Sequence, residues 1–70
     1  MINPEIDKYG NKIWYNSQGQ FHRDDGCPAA EYASGHKEWY INGKLHREDG
    51  PASEWSDGTL SWFIDGKRII

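Results

Sequence analysis

The sequence predicts an all-β domain, an antiparallel meander of about eight short strands built from two and a half hairpin repeats of 23–25 residues. Three observations point there. The run Trp39-Tyr40-Ile41-Asn42-Gly43-Lys44-Leu45-His46-Arg47-Glu48-Asp49-Gly50-Pro51-Ala52 is prefigured by Trp14-Tyr15 and by Phe21-His22-Arg23-Asp24-Asp25-Gly26, and begins again at Trp62-Phe63-Ile64-Asp65-Gly66-Lys67. Self-similarity at such a period marks a repeat architecture. Segments of four to six residues are closed by turn dipeptides at Gln18-Gly19, Asp25-Gly26, Ser34-Gly35, Asn42-Gly43, Asp49-Gly50, Asp57-Gly58 and Asp65-Gly66. The intervening segments are too short for helices and are rich in aromatic and β-branched residues.

Residues 1–8 form a lead-in, and the repeats occupy 9–70 of a single domain. The expected strands are about 11–16, 20–23, 29–33, 36–41, 44–47, 52–56, 59–64 and 67–70. Asn-Gly and Asp-Gly supply the positive φ angles of a type I′ turn, whose twist matches paired strands. A two-residue loop also fixes the register. Asn42-Gly43 pairs Ile41 with Lys44, Tyr40 with Leu45, Trp39 with His46 and Glu38 with Arg47. Asp65-Gly66 pairs Phe63 with Arg68 and Trp62 with Ile69, and a loop of Ser17, Gln18 and Gly19 pairs Tyr15 with Phe21 and Trp14 with His22. One face then carries Trp14, Trp39 and Trp62 opposite His22, His46 and Ile69, with Trp55 opposite Leu60 across Asp57-Gly58. Because Ile69 stands where the other repeats have His, this is the expected core face. The other face carries Tyr15, Phe21, Tyr40, Leu45, Phe63 and Arg68 with Arg23, Glu38 and Arg47.

A chain of 70 residues buries only about 60% of the surface its unfolded form exposes. With four Trp, four Tyr and no Val, aromatics must supply most of the burial. Self-association as a homodimer would add to it. The net charge of −3 leaves no basic stripe for nucleic-acid phosphates. No apolar run approaches the length of a membrane span, and Met1-Ile2-Asn3-Pro4-Glu5 lacks the regions of a signal peptide. A cytoplasmic protein without direct nucleic-acid or membrane contact is expected. Cys27 is the single cysteine, which excludes an intrachain disulfide and a Cys-rich metal site.

The clusters His22-Arg23-Asp24-Asp25 and His46-Arg47-Glu48-Asp49 are the places to weigh catalysis or metal binding, since His beside a carboxylate serves as acid, base or ligand. Equivalent positions two or more strands apart are separated by at least about 10 Å, too far to share one zinc. Each cluster alone offers too few ligands. The expectation is a packing role for His22 and His46, a turn role for Asp25 and Asp49, a solvated His36, no catalytic residue, no metal and no cofactor. No nucleophile elbow, phosphate loop or zinc-protease segment is present.

The unit aromatic-aromatic-x-Asn-Gly followed by His-Arg-x-Asp-Gly-Pro-Ala resembles the MORN-type repeats, in particular a variant with a His-Arg-Glu-Asp-Gly-Pro-Ala signature found in small phage and bacterial proteins. The likeness covers about residues 9–70. It is closest through Trp39 to Ala52, looser in the first repeat, and cut short in the third before any His-Arg-x-Asp-Gly. The resemblance implies a ribbon of stacked hairpins used for contact and no shared enzymatic activity. A phage-type origin would put the protein in the host cytoplasm, as an inhibitor or adaptor occupying a surface of a host protein, such as a component of a CRISPR defence system. Tyr15, Arg23, Glu38, Tyr40, Arg47, Phe63 and Arg68 are the expected partner face, because aromatic and Arg side chains carry much interface energy. The alternatives are a sponge for a small signalling nucleotide, with bases stacked on those aromatics and phosphates held by Arg, and a purely structural or dimerising module.

Overall fold

The computed structural model describes residues 4–69. It is all-β, with ten two-residue strands among the described residues: β1 (Glu5–Ile6), β2 (Lys12–Ile13), β3 (Ala30–Glu31), β4 (Lys37–Glu38), β5 (Tyr40–Ile41), β6 (Lys44–Leu45), β7 (Ser53–Glu54), β8 (Leu60–Ser61), β9 (Phe63–Ile64) and β10 (Lys67–Arg68). An antiparallel six-stranded sheet runs β1-β2-β3-β4-β7-β8, with β1 and β8 at its edges.

Each outgoing strand bends at a tryptophan and continues into a second hairpin. β4 passes through Trp39 into β5, and β8 through Trp62 into β9; the same path leads from β2 through Trp14 to the bridge between Tyr15 and Phe21. Trp14 and Trp39 make the bend by bonding two neighbours. Their N–H groups donate to the carbonyls of Ala29 and Ala52, both at 2.8 Å, and their carbonyls accept from His22 and His46 at 2.9 and 3.0 Å. The expected strands 36–41 and 59–64 are therefore each two strands meeting at an indole.

The second hairpins are bonded side by side. Gly43 N–H donates to Phe21 C=O at 2.8 Å and Arg23 N–H to Tyr40 C=O at 3.2 Å. One repeat later, Gly66 N–H donates to Leu45 C=O at 2.8 Å and Arg47 N–H to Phe63 C=O at 3.1 Å.

The two-residue loops form as their dipeptides dictate. Asn42 and Gly43 take φ of 50° and 81°, and Asp65 and Gly66 51° and 79°, and the pairs Tyr40 with Leu45 and Phe63 with Arg68 follow. Asp57-Gly58 behaves differently. Trp55 N–H donates to Thr59 C=O at 2.9 Å and Gly58 N–H to Trp55 C=O at 3.0 Å, a three-residue loop through Ser56, Asp57 and Gly58. Glu54, not Trp55, consequently faces Leu60. The one-residue difference turns Trp55 to the other side of the sheet.

The lead-in residues contribute β1, which occupies the place of β3 and β7. Its turn to β2 carries the same bond, Asp7 N–H to Asn11 C=O at 3.1 Å, that Tyr32 makes to His36 at 2.9 Å. Each repeat is thus a return strand, an outgoing strand and a second hairpin.

The body is flattened, with extents of 32 × 27 × 16 Å. Ala29, Ala30 and Ala52 are fully enclosed, and Trp14 and Trp39 are 9% and 8% exposed. The Trp face is not buried throughout: Ile69 and Leu60 are exposed, as is Trp55 on the opposite side. The fully enclosed side chains are thus small alanines, and no large side chain is fully enclosed among the described residues.

Candidate functional site

The signature clusters on the tryptophan face hold successive repeats together. His22 Nδ1 accepts the Asn42 N–H at 2.9 Å, and His46 Nδ1 accepts the Asp65 N–H at 3.0 Å. Asn42 and Asp65 are the first residues of the two I′ turns, where the backbone donor points out of the hairpin. A histidine thus caps the turn of the following repeat. This corrects the reading of Ile69 as evidence that the position belongs to an apolar core; His is required where a following hairpin presents an N–H, and Ile69 is exposed.

Arg23 and Arg47 also lie on this face, because the chain leaves the strand after His22 and His46. The Arg47 guanidinium carbon sits 3.9 Å from the Trp39 ring centre and that of Arg23 3.8 Å from Trp14. Arg47 Nε donates to Asp49 at 3.1 Å, and its Nη1 to the Pro51 carbonyl at 3.0 Å and to Glu54 at 3.1 Å. Arg23 repeats the pattern, with Nε to Asp25 at 3.1 Å, Nη1 to the Pro28 carbonyl at 3.2 Å, and Glu31 at 3.6 Å. Each arginine covers its indole and pins the loop, Asp25 to Pro28 or Asp49 to Pro51, that carries the chain back to the sheet. Arg47 pairs with Glu54 and Asp49 instead of the expected Glu38, which the bend at Trp39 carries away. A groove of about 470 Å³ runs between the first two repeats, lined by Arg23, Trp39, Ile41, His46 and Arg47.

The tyrosine face brings Tyr15, Tyr40 and Glu38 together and leaves Phe63 and Arg68 as a separate pair. Tyr15, Phe21 and Tyr40 form an edge-to-face series with ring centres 5.3 and 5.2 Å apart, and Phe63 lies opposite Arg68 in the next hairpin. Glu38 is the polar centre. Its Oε1 accepts the hydroxyls of Tyr40 at 3.0 Å and Tyr32 at 3.3 Å, and its Oε2 lies 3.0 Å from His36 Nε2. Burial pushes the Tyr40 hydroxyl well above the ordinary tyrosine value, and the hydrogen bond to the Glu38 carboxylate adds to the shift. Tyr32 moves the same way, with burial again the first cause and the Glu38 charge the second.

His36, expected in solvent, is buried at 8% exposure. It stacks on Tyr32 with ring centres 5.3 Å apart and lies 3.9 Å from Trp55, while its Nδ1 is 3.1 Å from the Glu54 carbonyl. Tyr32, His36 and Trp55 belong to the site and were missed. The signal was present: Gly35 closes a turn that sets Tyr32 opposite His36, two residues before Glu38 on the same face.

Among the described residues, no group of three or more His, Cys, Asp and Glu side chains is arranged to hold a metal ion, and no helix is long and apolar enough to cross a membrane. Cys27 is exposed. A scan against protein-family models, a search of curated proteins and a search of solved structures each found no match to this chain.

Proposed function

We propose that this chain is a non-enzymatic, MORN-like binding protein that occupies a surface of another protein with its tyrosine face. One observation carries the reading. The imidazoles and guanidiniums of the repeated clusters are engaged in joining repeats, while the opposite face carries half-buried Tyr15, Phe21 and Tyr40 in an edge-to-face series, with Tyr40 bonded to Glu38, and half-buried Phe63 in the next hairpin. Rigid aromatics offer contact area at little entropic cost, and hydroxyls already fixed to Glu38 lose no rotamer freedom on binding. With the resemblance to phage repeat proteins, the partner is a host protein in the bacterial cytoplasm, and the action that of an inhibitor or adaptor against a component of a defence system such as CRISPR.

The nucleotide sponge is less well supported. Arg23 and Arg47, its phosphate ligands, are stacked over indoles on the other face with their Nε and Nη1 groups engaged. The test is affinity capture from host lysate by the native protein and by Tyr15→Ala and Phe63→Ala variants, each checked for fold by circular dichroism. Loss of one captured protein with both variants supports the reading, and unchanged capture removes the face from consideration. A thermal shift with a nucleotide panel would favour the sponge.

A further inference from the structure

We infer that copies of this chain join head to tail, with β8 of one copy pairing with β1 of the next in the register that the chain uses internally. Inside the molecule, successive repeats meet twice through the six-stranded sheet, β2 against β3 and β4 against β7. At both junctions a lysine of the outgoing strand opposes a glutamate of the return strand: Lys12 faces Glu31 and Lys37 faces Glu54.

β1 is a return strand and β8 an outgoing strand, and they are the edges of the sheet among the described residues. The position held by Lys12 and Lys37 is Leu60 in β8; the position held by Glu31 and Glu54 is Ile6 in β1. Both members of the charged pair are therefore replaced together, by two apolar residues that are 44% and 60% exposed. Either replacement alone would set an apolar side chain against a charge. Together they make an apolar cross-strand pair, a combination that stabilises antiparallel strands. The backbone fits the same junction: Trp14 and Trp39 donate to the carbonyls of Ala29 and Ala52 at 2.8 Å, and Pro4 holds the equivalent carbonyl for Trp62 of a second copy. Exposed edge strands carry backbone donors and acceptors ready for such pairing. The contact joins two different edges, so it is heterologous and extends into a ring or an open fibre instead of stopping at a two-fold dimer.

The test uses sedimentation of the whole chain over a concentration series, with Leu60→Lys and Ile6→Glu variants. The native protein should move from its 8.1 kDa monomer mass to species larger than dimers as concentration rises. Each variant alone should associate roughly tenfold or more weakly, with an unchanged circular dichroism spectrum. An equimolar mixture of the two should regain assembly, because the introduced lysine meets the introduced glutamate as at the internal junctions, while native Leu60 and Ile6 meet at the alternate contacts. A native protein that stays monomeric throughout would overturn the inference. So would single variants that assemble like the native chain, or a mixture that stays dissociated.

Discussion

Replacing Arg47 by alanine should be among the most destabilising single changes in the second repeat. The guanidinium lies over Trp39 at 3.9 Å, a cation–π contact worth about 1 kcal/mol when partly desolvated. It also bonds the Pro51 carbonyl and Glu54, whose side chain is 35% exposed, and such bonds contribute about 1 kcal/mol each. The pair with Asp49, 84% exposed, adds little because water screens it. The sum is about 2–3 kcal/mol, a large fraction of the ~4–10 kcal/mol available to a domain of this size. A fall in melting temperature of about 10–20 °C follows. Urea unfolding followed by tryptophan fluorescence measures it directly, with Arg47→Lys as the informative companion. Lysine keeps the charge but lacks the planar fork, so it should recover less than half of the loss. If Arg47→Ala unfolds within about 0.5 kcal/mol of the native protein, the clamp assigned to this residue is wrong.

The same reasoning gives three further outcomes. His46→Ile removes the acceptor of the exposed Asp65 N–H, which water can replace, and should cost about 0.5–1.5 kcal/mol by urea unfolding, whereas Ile69→His should be close to neutral. Gly26 and Gly50 are equivalent in sequence but resist alanine for different reasons. Gly26 takes a φ of 85° with open space around it, so Gly26→Ala strains the backbone; at Gly50 an added Cβ would lie 2.9 Å from Arg47 Cζ, so Gly50→Ala should displace the guanidinium from Trp39, open that indole to water and red-shift its emission. The Tyr40 hydroxyl ionises higher in the folded chain than the ordinary value of 10.0. Its contribution to stability is therefore whole below that pH and is lost as pH rises above it. Urea midpoints at mildly and strongly alkaline pH should diverge more for the native protein than for Tyr40→Phe; equal divergence would dismiss the Tyr40 contribution.

How much of this was legible depended on where backbone chemistry was written into single residues. Asn42-Gly43 and Asp65-Gly66 force positive φ at both loop positions, so their hairpins and the pairs across them could be read outright. Asp57-Gly58 looks alike, but Asp57 Oδ1 accepts the Thr59 N–H at 2.9 Å, and this side-chain bond favours the three-residue loop. That shifted Trp55 by one position and hid its stack on His36. The side to which Arg23 and Arg47 turn was not legible, because strand alternation ends at the preceding histidine and the indole–guanidinium stack is a tertiary contact. The central role of Glu38 was hidden for a related reason: two of its three partners, Tyr32 and His36, come from the neighbouring turn.

The histidine that closes each following turn makes the repeats report on one another. Nearest-neighbour terms govern whether a repeat array melts piecemeal or at once. Here such a term is concentrated in the amide protons of Asn42 and Asp65, each held by a ring from the preceding unit. Neither proton can exchange with solvent while that ring stays in place. Their exchange rates are thus gauges of fraying along the ribbon: if the first unit opens before the others, the Asn42 amide will exchange first while the Asp65 amide stays protected.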